Sequence, residues 1–264
     1  SQMDRVVKKQ ELLNWDVELV RDAKTQELLE ERFSYKYPHE ELAAIPVKMT
    51  VSELKRAGEE EPGEELYYTP DMVPLIPKFM QGEETVLEGA ARGTVYHKVM
   101  ECLDYSRLIT SLDEPMLELK GQLQEMISQE KLSEEDAKCL DMQDLMQFLD
   151  SELGRRMCVA GANGKLVREQ PFVMGIPAKE VHENWPEQEM VLVQGIIDAF
   201  FEEEGQLVIV DYKTDRVPDG TGQCLVDKYA KQLLYYRRAL QQITGKSVKE
   251  MAIYSITLGK EIMI

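Results

Sequence analysis

The sequence predicts an α/β fold: a small mixed sheet with helices on both sides, preceded by a helical N-terminal extension. Three observations support this prediction. Apolar residues recur at helical spacing through much of the chain up to residue 152. After a turn at Gly161-Ala162-Asn163-Gly164 the pattern changes to runs rich in Val, Ile, Leu and Phe, which are typical of strands. One further helix precedes the last run, so the order is helices, three strands, a helix and a strand.

The helices of the first half are indicated by their spacing and by their ends. Pro38 ends the first, because the residue before a proline is pushed out of the helical region. A hydroxyl of Thr50 or Ser52 can cap a short helix, and Ser133, which three acidic residues follow, suits another helix start. Residues 57–78 are rich in glycine, proline and glutamate, which favours a loop. Helices are therefore predicted over 3–34, from Thr50 or Ser52, and over 83–104, 116–128 and 133–152.

The second half contains the predicted strands. The helix between the last two strands covers residues 225–243 and ends near Gly245, since glycine commonly follows the last turn of a helix. The strands are predicted over 165–172, 190–201, 207–212 and 248–257.

The charge of the chain limits the ways in which it can bind nucleic acid. Its 31 Lys and Arg residues face 49 Asp and Glu residues, which gives a formal net charge of −18. Because phosphate binding is driven by basic side chains, this balance argues against a free-standing DNA-binding protein. If the substrate is nucleic acid, the basic groups must be local, or a partner must deliver the strand.

Cysteine usage and hydropathy indicate the compartment. The four cysteines form no CxxC pair, which gives a zinc or iron–sulfur site little support and favours thiols in a reducing cytoplasm. No run of 18 apolar residues occurs, so no membrane partner is expected. The first residues do not resemble a signal peptide, and Ser1 is expected to be the start of a fragment excised from a longer protein.

Two aspartates stand in otherwise apolar predicted strands. Gly205 can supply the positive φ of a tight hairpin. If Glu204 and Gly205 are its two loop residues, paired residues have numbers that sum to 409, and Asp198 pairs with Asp211. Their Cβ atoms would lie about 4.5–5.5 Å apart on one face. Lys213, two residues further along, would lie on the same face.

Such a pair of carboxylates indicates a metal site. Their repulsion in a partly buried place is costly unless a cation compensates it, and Mg²⁺ prefers oxygen ligands of this kind. A lysine beside the metal could orient or deprotonate water, or stabilise charge on phosphorus. The alternative is that Asp211 and Asp215 begin a solvated turn and that Lys213 is their surface counter-ion.

Further motifs make the pattern recognisable. Asp198 followed by Asp211-Tyr212-Lys213-Thr214-Asp215 resembles the metal-binding core of the PD-(D/E)XK nucleases, in their RecB-like branch. Gly93-Thr94-Val95-Tyr96-His97 is similar to the GxxxH motif of that branch, and Gln232-Leu233-Leu234-Tyr235-Tyr236 to its QxxxY motif. Glu169-Gln170-Pro171-Phe172 is similar to a segment of its first strand. The resemblance implies a restriction-endonuclease-like core over residues 82–257.

The resemblance also implies roles for single residues. Asp198, Asp211 and the backbone carbonyl of Tyr212 would bind Mg²⁺, for which Mn²⁺ could substitute, and His97 would be a further ligand. Lys213 would be the catalytic lysine. Gln232 and Tyr236 would line the site, where Tyr229 shares their helix face. Taken alone, His97 would be interpreted as a packed core histidine, and Glu169 has the weakest claim to touch the site.

The segment Val51-Ser52-Glu53-Leu54-Lys55-Arg56 resembles the lead-in to the nuclease domain of AddA-type helicase–nuclease proteins of bacteria. This implies residues 1–48 as a helical extension toward an absent helicase region, and residues 49–264 as the nuclease domain. ATP would bind only in the absent region, because no GxxxxGK[ST] pattern occurs here. Single-stranded DNA fed by the motor and an AddB-like subunit would be the partners, in double-strand break processing and recombinational repair in the bacterial cytoplasm.

Two other functions remain open from the sequence. One is a DNA-guiding or subunit-docking module without catalysis, which would bind no metal at Asp198 and Asp211. The other is a free-standing RecB-like exonuclease, which would not need the helical lead-in of residues 3–45.

Overall fold

The computed structural model describes residues 23–35, 40–57, 86–110, 114–218 and 220–264. The predicted helix over residues 3–22 and most of the predicted loop over residues 57–78 lie outside these ranges. The chain divides into two compact units, Ser1–Pro46 and Val47–Ile264. In the first unit the structure describes two helices, α1 (Ala23–Ser34) and α2 (Glu40–Ala43), and α1 confirms the C-terminal part of the first predicted helix.

In the second unit most of the helices precede the main strands. The helices that precede the main strands are α3 (Val51–Ala57), α4 (Val86–Cys102), α5 (Tyr105–Thr110), α6 (Pro115–Ser128), α7 (Glu134–Ala137), α8 (Met142–Asp150) and α9 (Glu152–Ala162). The strands are β1 (Lys48–Thr50), β2 (Leu166–Pro177), β3 (Met190–Glu203), β4 (Gln206–Lys213), β5 (Val248–Ser255) and β6 (Lys260–Met263), and the long helix α10 (Gln223–Thr244) lies between β4 and β5. Among the described residues, no helix is both long enough and apolar enough to cross a membrane.

The strands form one mixed six-stranded sheet, which confirms the predicted fold class. β3 is its longest strand. β2 pairs antiparallel with β3 along one side, while β1 (parallel) and β4 (antiparallel) share the other side. Beyond β4 follow β5, parallel to it, and β6, antiparallel to β5.

The β3–β4 hairpin has the predicted register. Ala199 pairs with Val210 and Glu203 with Gln206, and both sums equal 409. The loop residues Glu204 and Gly205 have φ values of 54° and 79°, which is the left-handed pair that a type I′ turn requires. The turn therefore sets the register on which the positions of the two aspartates depend.

One apolar cluster covers one face of the sheet. Alternate residues of β3 and β4, such as Phe201, Val208 and Val210, pack there against residues of the helices α4 to α9. Phe148 of α8 makes edge-to-face ring contacts with Tyr212 and Tyr254, with ring centroids 5.8 Å and 4.8 Å away. Because alternate residues of a strand point to opposite faces, Asp211 points away from this cluster.

The structure corrects the prediction of one helix over residues 133–152. Two capping residues interrupt it. Asp141 is extended and its side chain accepts from the backbone of Gln143, and Ser151 is extended and its side chain accepts from Gly154. The helix that follows runs to Ala162, so the predicted turn begins only after that residue. The short helix α5 and the strands β1 and β6 were not predicted.

Candidate active site

The two aspartates lie at the open end of the β3–β4 hairpin, away from its turn. The side chain of Asp211 is fully buried and that of Asp198 is 11% exposed. The backbone N–H of Tyr212 donates to Asp198 Oδ2 at 2.9 Å, so a side chain of β3 links the two strands at this end. The apolar strands around them thus hold both carboxylates in a largely buried place.

Lys213 is the nearest cation to Asp211. Its Nζ lies 2.6 Å from Asp211 Oδ2, and this ammonium also lies 4.5 Å from the ring centroid of Tyr229. The hydroxyl of Tyr229 in turn donates to the carboxylate of Asp215 at 3.0 Å. The lysine is therefore placed between a buried carboxylate and an aromatic face, where its motion is restricted.

Helix α10 supplies an amide to the second oxygen of Asp211. Gln232 Nε2 donates to Asp211 Oδ1 at 3.2 Å and to the hydroxyl of Tyr236 at 2.7 Å. Tyr236 packs edge to face on Phe172 of β2, with ring centroids 5.7 Å apart. Since Gln232 and Tyr236 are one helical turn apart, α10 presents both from one face.

His97 reaches the site from helix α4. Its Nε2 lies 3.0 Å from the carbonyl oxygen of Tyr212, and its Nδ1 lies 3.4 Å from Asp198 Oδ2. A Cβ added at Gly93, one turn earlier, would lie 3.0 Å from Thr214 Oγ1. Glycine at that position therefore permits the helix to approach the strand end closely.

A partly buried hydrogen-bond network links the helix that carries His97 to α8. The preceding residue, Tyr96, is fully buried and donates to Asp144 Oδ2 of α8 at 2.6 Å. Arg92 donates to the same oxygen at 2.9 Å, and Tyr96 accepts from the backbone of Asp141 at 3.0 Å. The sequence interpretation missed this network, which only the chain's tertiary packing brings together.

Burial and the neighbouring charges shift the pKa values of the site residues in different directions. Burial raises the pKa of Asp211 to about 6 against the opposing charge of Lys213, and the charge of Asp198 adds to the rise. Burial also disfavours the charged form of Asp198, but the hydrogen bond and charge of His97 outweigh it and hold the pKa of Asp198 below its usual value. Burial opposes protonation of His97, but the hydrogen bond and the charge of Asp198 outweigh it and raise the pKa of His97 overall.

Glu169 of β2 also lies beside these residues. One ligand atom each of His97, Glu169 and Asp198 lie within 4.8 Å of one another. Burial and the charge of Asp198 raise the pKa of the Glu169 carboxyl. The sequence interpretation noted this segment but did not place Glu169 among the site residues.

The donor set fits a divalent cation. Asp211 Oδ2 is buried and makes no hydrogen bond of ordinary geometry among the described residues; its close neighbour is the ammonium of Lys213. On the neighbouring residues, the carbonyl of Tyr212 and the carboxylate of Asp198 each lie within 3.4 Å of a ring nitrogen of His97, and all three groups can act as ligands. Carboxylate and carbonyl oxygens are the ligands that hard divalent cations prefer.

The comparisons with known proteins agree with this geometry. Residues 75–261 match the PD-(D/E)XK nuclease superfamily, and the chain belongs to that superfamily. It is also similar to proteins named as ATP-dependent helicase/nuclease subunits of the A type.

One of these relatives is from Acetivibrio thermocellus, 36% identical over 236 residues that span 87% of this chain and 18% of the relative. Another is from Lachnoclostridium phytofermentans, 33% identical over 307 residues, 88% of this chain and 22% of the relative. A third, from Clostridium beijerinckii, is 38% identical over 237 residues, 88% of this chain and 18% of the relative.

The chain therefore spans about a fifth of the length of these relatives. The similarity covers the nuclease superfamily region described here. The larger part of each relative has no counterpart in this chain.

Proposed function

We propose that the chain hydrolyses DNA phosphodiesters with Mg²⁺, as the nuclease part of an ATP-dependent helicase–nuclease. The observation that carries this proposal is the placement of Asp198, Asp211 and Lys213 together at one strand end. The superfamily to which the chain belongs supports the nuclease chemistry. The relatives' name supports the link to a helicase.

In this proposal four groups hold the cation: the carboxylates of Asp198 and Asp211, the carbonyl of Tyr212 and the imidazole of His97. When bound, a divalent cation supplies Lewis acidity and lowers the pKa of a bound water. Gln232 keeps Asp211 oriented, since its amide donates to one carboxylate oxygen and leaves the other for the cation. Tyr236 holds the amide of Gln232 through the hydrogen bond between them.

Lys213 is assigned the role of the cationic side chain that acts on the substrate. Its ammonium now lies beside the Asp211 oxygen that has no ordinary hydrogen bond. With a cation held by that oxygen, the ammonium would donate to the attacking water or to a phosphoryl oxygen and would stabilise developing negative charge there. The ring of Tyr229, 4.5 Å away, favours a position of the ammonium near the strand end.

The substrate is assigned as single-stranded DNA that a motor delivers. A net charge of −18 gives a long-range field that repels a polyanion, since 49 acidic residues outnumber 31 basic ones. A motor that holds the strand would raise its effective concentration at the site. The further assignments are an AddB-like partner subunit, a role in double-strand break processing and recombinational repair, and the bacterial cytoplasm as the compartment.

Cleavage of a labelled single-stranded oligonucleotide tests the proposal. Lys213→Met should lower the Mg²⁺-dependent rate by about 100-fold or more, as loss of one preorganised electrostatic group does. Lys246→Met is the matched control, because Lys246 pairs with Glu202 at the turn end of the hairpin. Equal rates for Lys213→Met and the unchanged chain would remove the lysine from the mechanism. Absence of any Mg²⁺-dependent cleavage, even at an oligonucleotide concentration high enough to offset the charge repulsion, would favour the DNA-guiding module instead.

A further inference from the structure

Glu169 stands directly opposite Asp198 in the sheet. Arg168 pairs with Ala199 and Gln170 with Ile197, so the register places Glu169 across from Asp198. That central pair alone is missing from the ladder between them, and Glu169 has a φ of 48°. The two carboxylates are thus on neighbouring strands at the same level, at the edge of the site already described.

The distances suit ligands of a single ion. One ligand atom each of Glu169, Asp198 and His97 lie within 4.8 Å of one another. Two oxygens on opposite sides of a bound Mg²⁺ are about 4 Å apart, because each Mg–O distance is about 2.1 Å. The printed separation is therefore close to the spacing of ligand atoms around one such ion.

The carboxylate of Glu169 has neither a hydrogen-bond donor nor a cationic side chain close to it among the described residues. Within the described part of the chain, no hydrogen bond reaches its carboxylate and no cationic side chain lies within ion-pair distance of it. Lys98, a nearby lysine on α4, pairs instead with Glu101 at 2.9 Å. Two half-buried or buried carboxylates side by side repel one another, and a cation between them offsets that repulsion.

We propose that Glu169 is a ligand of the divalent cation, which it binds together with His97 and Asp198. This assignment rests on the proposed function and extends it, since it adds a carboxylate from β2 to a site otherwise built from α4, β3 and β4. A third carboxylate raises the negative charge of the ligand set. It also ties the edge strand β2 to the site.

Binding of Mn²⁺ to the chain, measured by isothermal titration calorimetry, tests the proposal. Glu169→Gln keeps the size of the side chain and removes its charge, and it should weaken Mn²⁺ binding about tenfold or more. Glu101→Gln is the matched control, because it removes the same charge from a neighbouring carboxylate that pairs with Lys98. That variant should bind within about twofold of the unchanged chain.

A second measurement shows whether Glu169 binds the ion directly or only attracts it through its charge. A carboxylate that leaves the ion is replaced by water, so the relaxation of solvent protons should report one more water on Mn²⁺ in Glu169→Gln than in the unchanged chain. Melting in EDTA shows whether each variant is folded. Glu169→Asn, which tolerates positive φ more readily, replaces the Gln variant if that one is unfolded.

The outcomes distinguish this proposal from the function on which it rests. Asp198→Asn should abolish binding. Unchanged Mn²⁺ affinity and unchanged hydration in Glu169→Gln, with binding lost in Asp198→Asn, would overturn the role of Glu169 and leave the proposed function standing. Absence of binding by the unchanged chain would overturn both.

Discussion

The β3–β4 hairpin carries carboxylates at both of its ends, but the cations around them differ. At the turn end, Glu203 accepts from Arg156 at 2.8 Å and lies 2.6 Å from Lys249. Its neighbour Glu202 pairs with Lys246 and with Lys165. Glu202 and Glu203 therefore each have two cationic partners from other elements, and both side chains are partly exposed.

At the open end the balance is reversed. Asp198 and Asp211 are more deeply buried, and the described residues offer them one lysine, Lys213, and the imidazole of His97. Arg156 and Lys249 hold the pKa of Glu203 down at about 2, whereas burial raises the pKa of Asp211 to about 6. The difference teaches that Glu202 and Glu203 at the turn end are balanced by cationic side chains, while Asp198 and Asp211 at the open end have fewer cationic partners among the described residues.

The largest expected effect is on DNA cleavage. Asp211→Asn removes a carboxylate from the open end and should lower the Mg²⁺-dependent rate by about 100-fold or more, because a cation ligand is lost. Glu203→Gln removes the same charge from the turn end and should leave the rate within about twofold, since the change is remote from the reacting atoms. Single-turnover assays of the two variants provide the comparison. Similar losses in both would mean that the two ends do not differ in function.

The next effect is on folding. Arg156 is 21% exposed and binds Glu203 and Glu250, so Arg156→Ala leaves two carboxylates without this partner. The free energy of unfolding should fall by about 2 kcal/mol, between the values for buried and surface pairs. Arg238→Ala is the control, because its pair with Glu180 is more exposed, and it should change stability by less than about 0.5 kcal/mol. Urea titrations would show whether the two losses differ.

A bound cation should stabilise the folded chain through the carboxylates of the open end and not through those of the turn end. At a Mn²⁺ concentration ten times the Kd, the folded state should gain about 1.4 kcal/mol, because the cation binds the folded chain. Thermal melting of Glu203→Gln should show the same gain as the unchanged chain, and Asp211→Asn should show little of it. A full gain in Asp211→Asn would place the cation elsewhere.

Acid should weaken the turn end. The pKa of Glu203 lies at about 2 in the folded chain, below its usual 4.5, so the stabilisation from its ionised form is present above pH 4.5. It is lost as the pH falls from 4.5 toward 2. After discount for partial exposure, the loss is about 1 kcal/mol. Unfolding measured across this range should show a shallower acid loss in Glu203→Gln; equal slopes in both chains would contradict the assignment.

The two ends also differ in how far they could be predicted from the sequence. The hairpin register follows from the local turn, because Gly205 marks the loop and a two-residue loop fixes which residues of the two strands pair. The register could therefore be predicted as far as the pair of Ala199 and Val210, which directly precedes the two aspartates. Glu169 could not be placed across from Asp198 in the same way, since the connection from β2 to β3 is not a tight turn and leaves the register undetermined.

Other features depended on tertiary contacts. β1 and β6 are three and four residues long, and their strand conformation comes from pairing with β3 and β5 rather than from their own pattern. The contact of His97 with the carbonyl of Tyr212 joins residues 115 apart in sequence. By contrast, the helix ends at Asp141 and Ser151 carried a capping signal that the sequence interpretation did not use.

The smallest expected effect is at the turn itself. Glu204 has a φ of 54°, and its side chain is 80% exposed. Asparagine adopts positive φ more readily than glutamate, and Asn-Gly is a preferred type I′ pair, so Glu204→Asn should raise the melting temperature by about 1–2 °C. The lost contact with Lys249, at 3.3 Å, costs little, because that lysine keeps Glu203 at 2.6 Å. Glu204→Gln separates charge from backbone: it removes the carboxylate, keeps the strained φ, and should leave the melting temperature unchanged. If Glu204→Gln destabilises the chain as much as Glu203→Gln does, the ion pair of Glu204 with Lys249 also contributes to stability. Three carboxylates, and not two, would then stabilise the turn end.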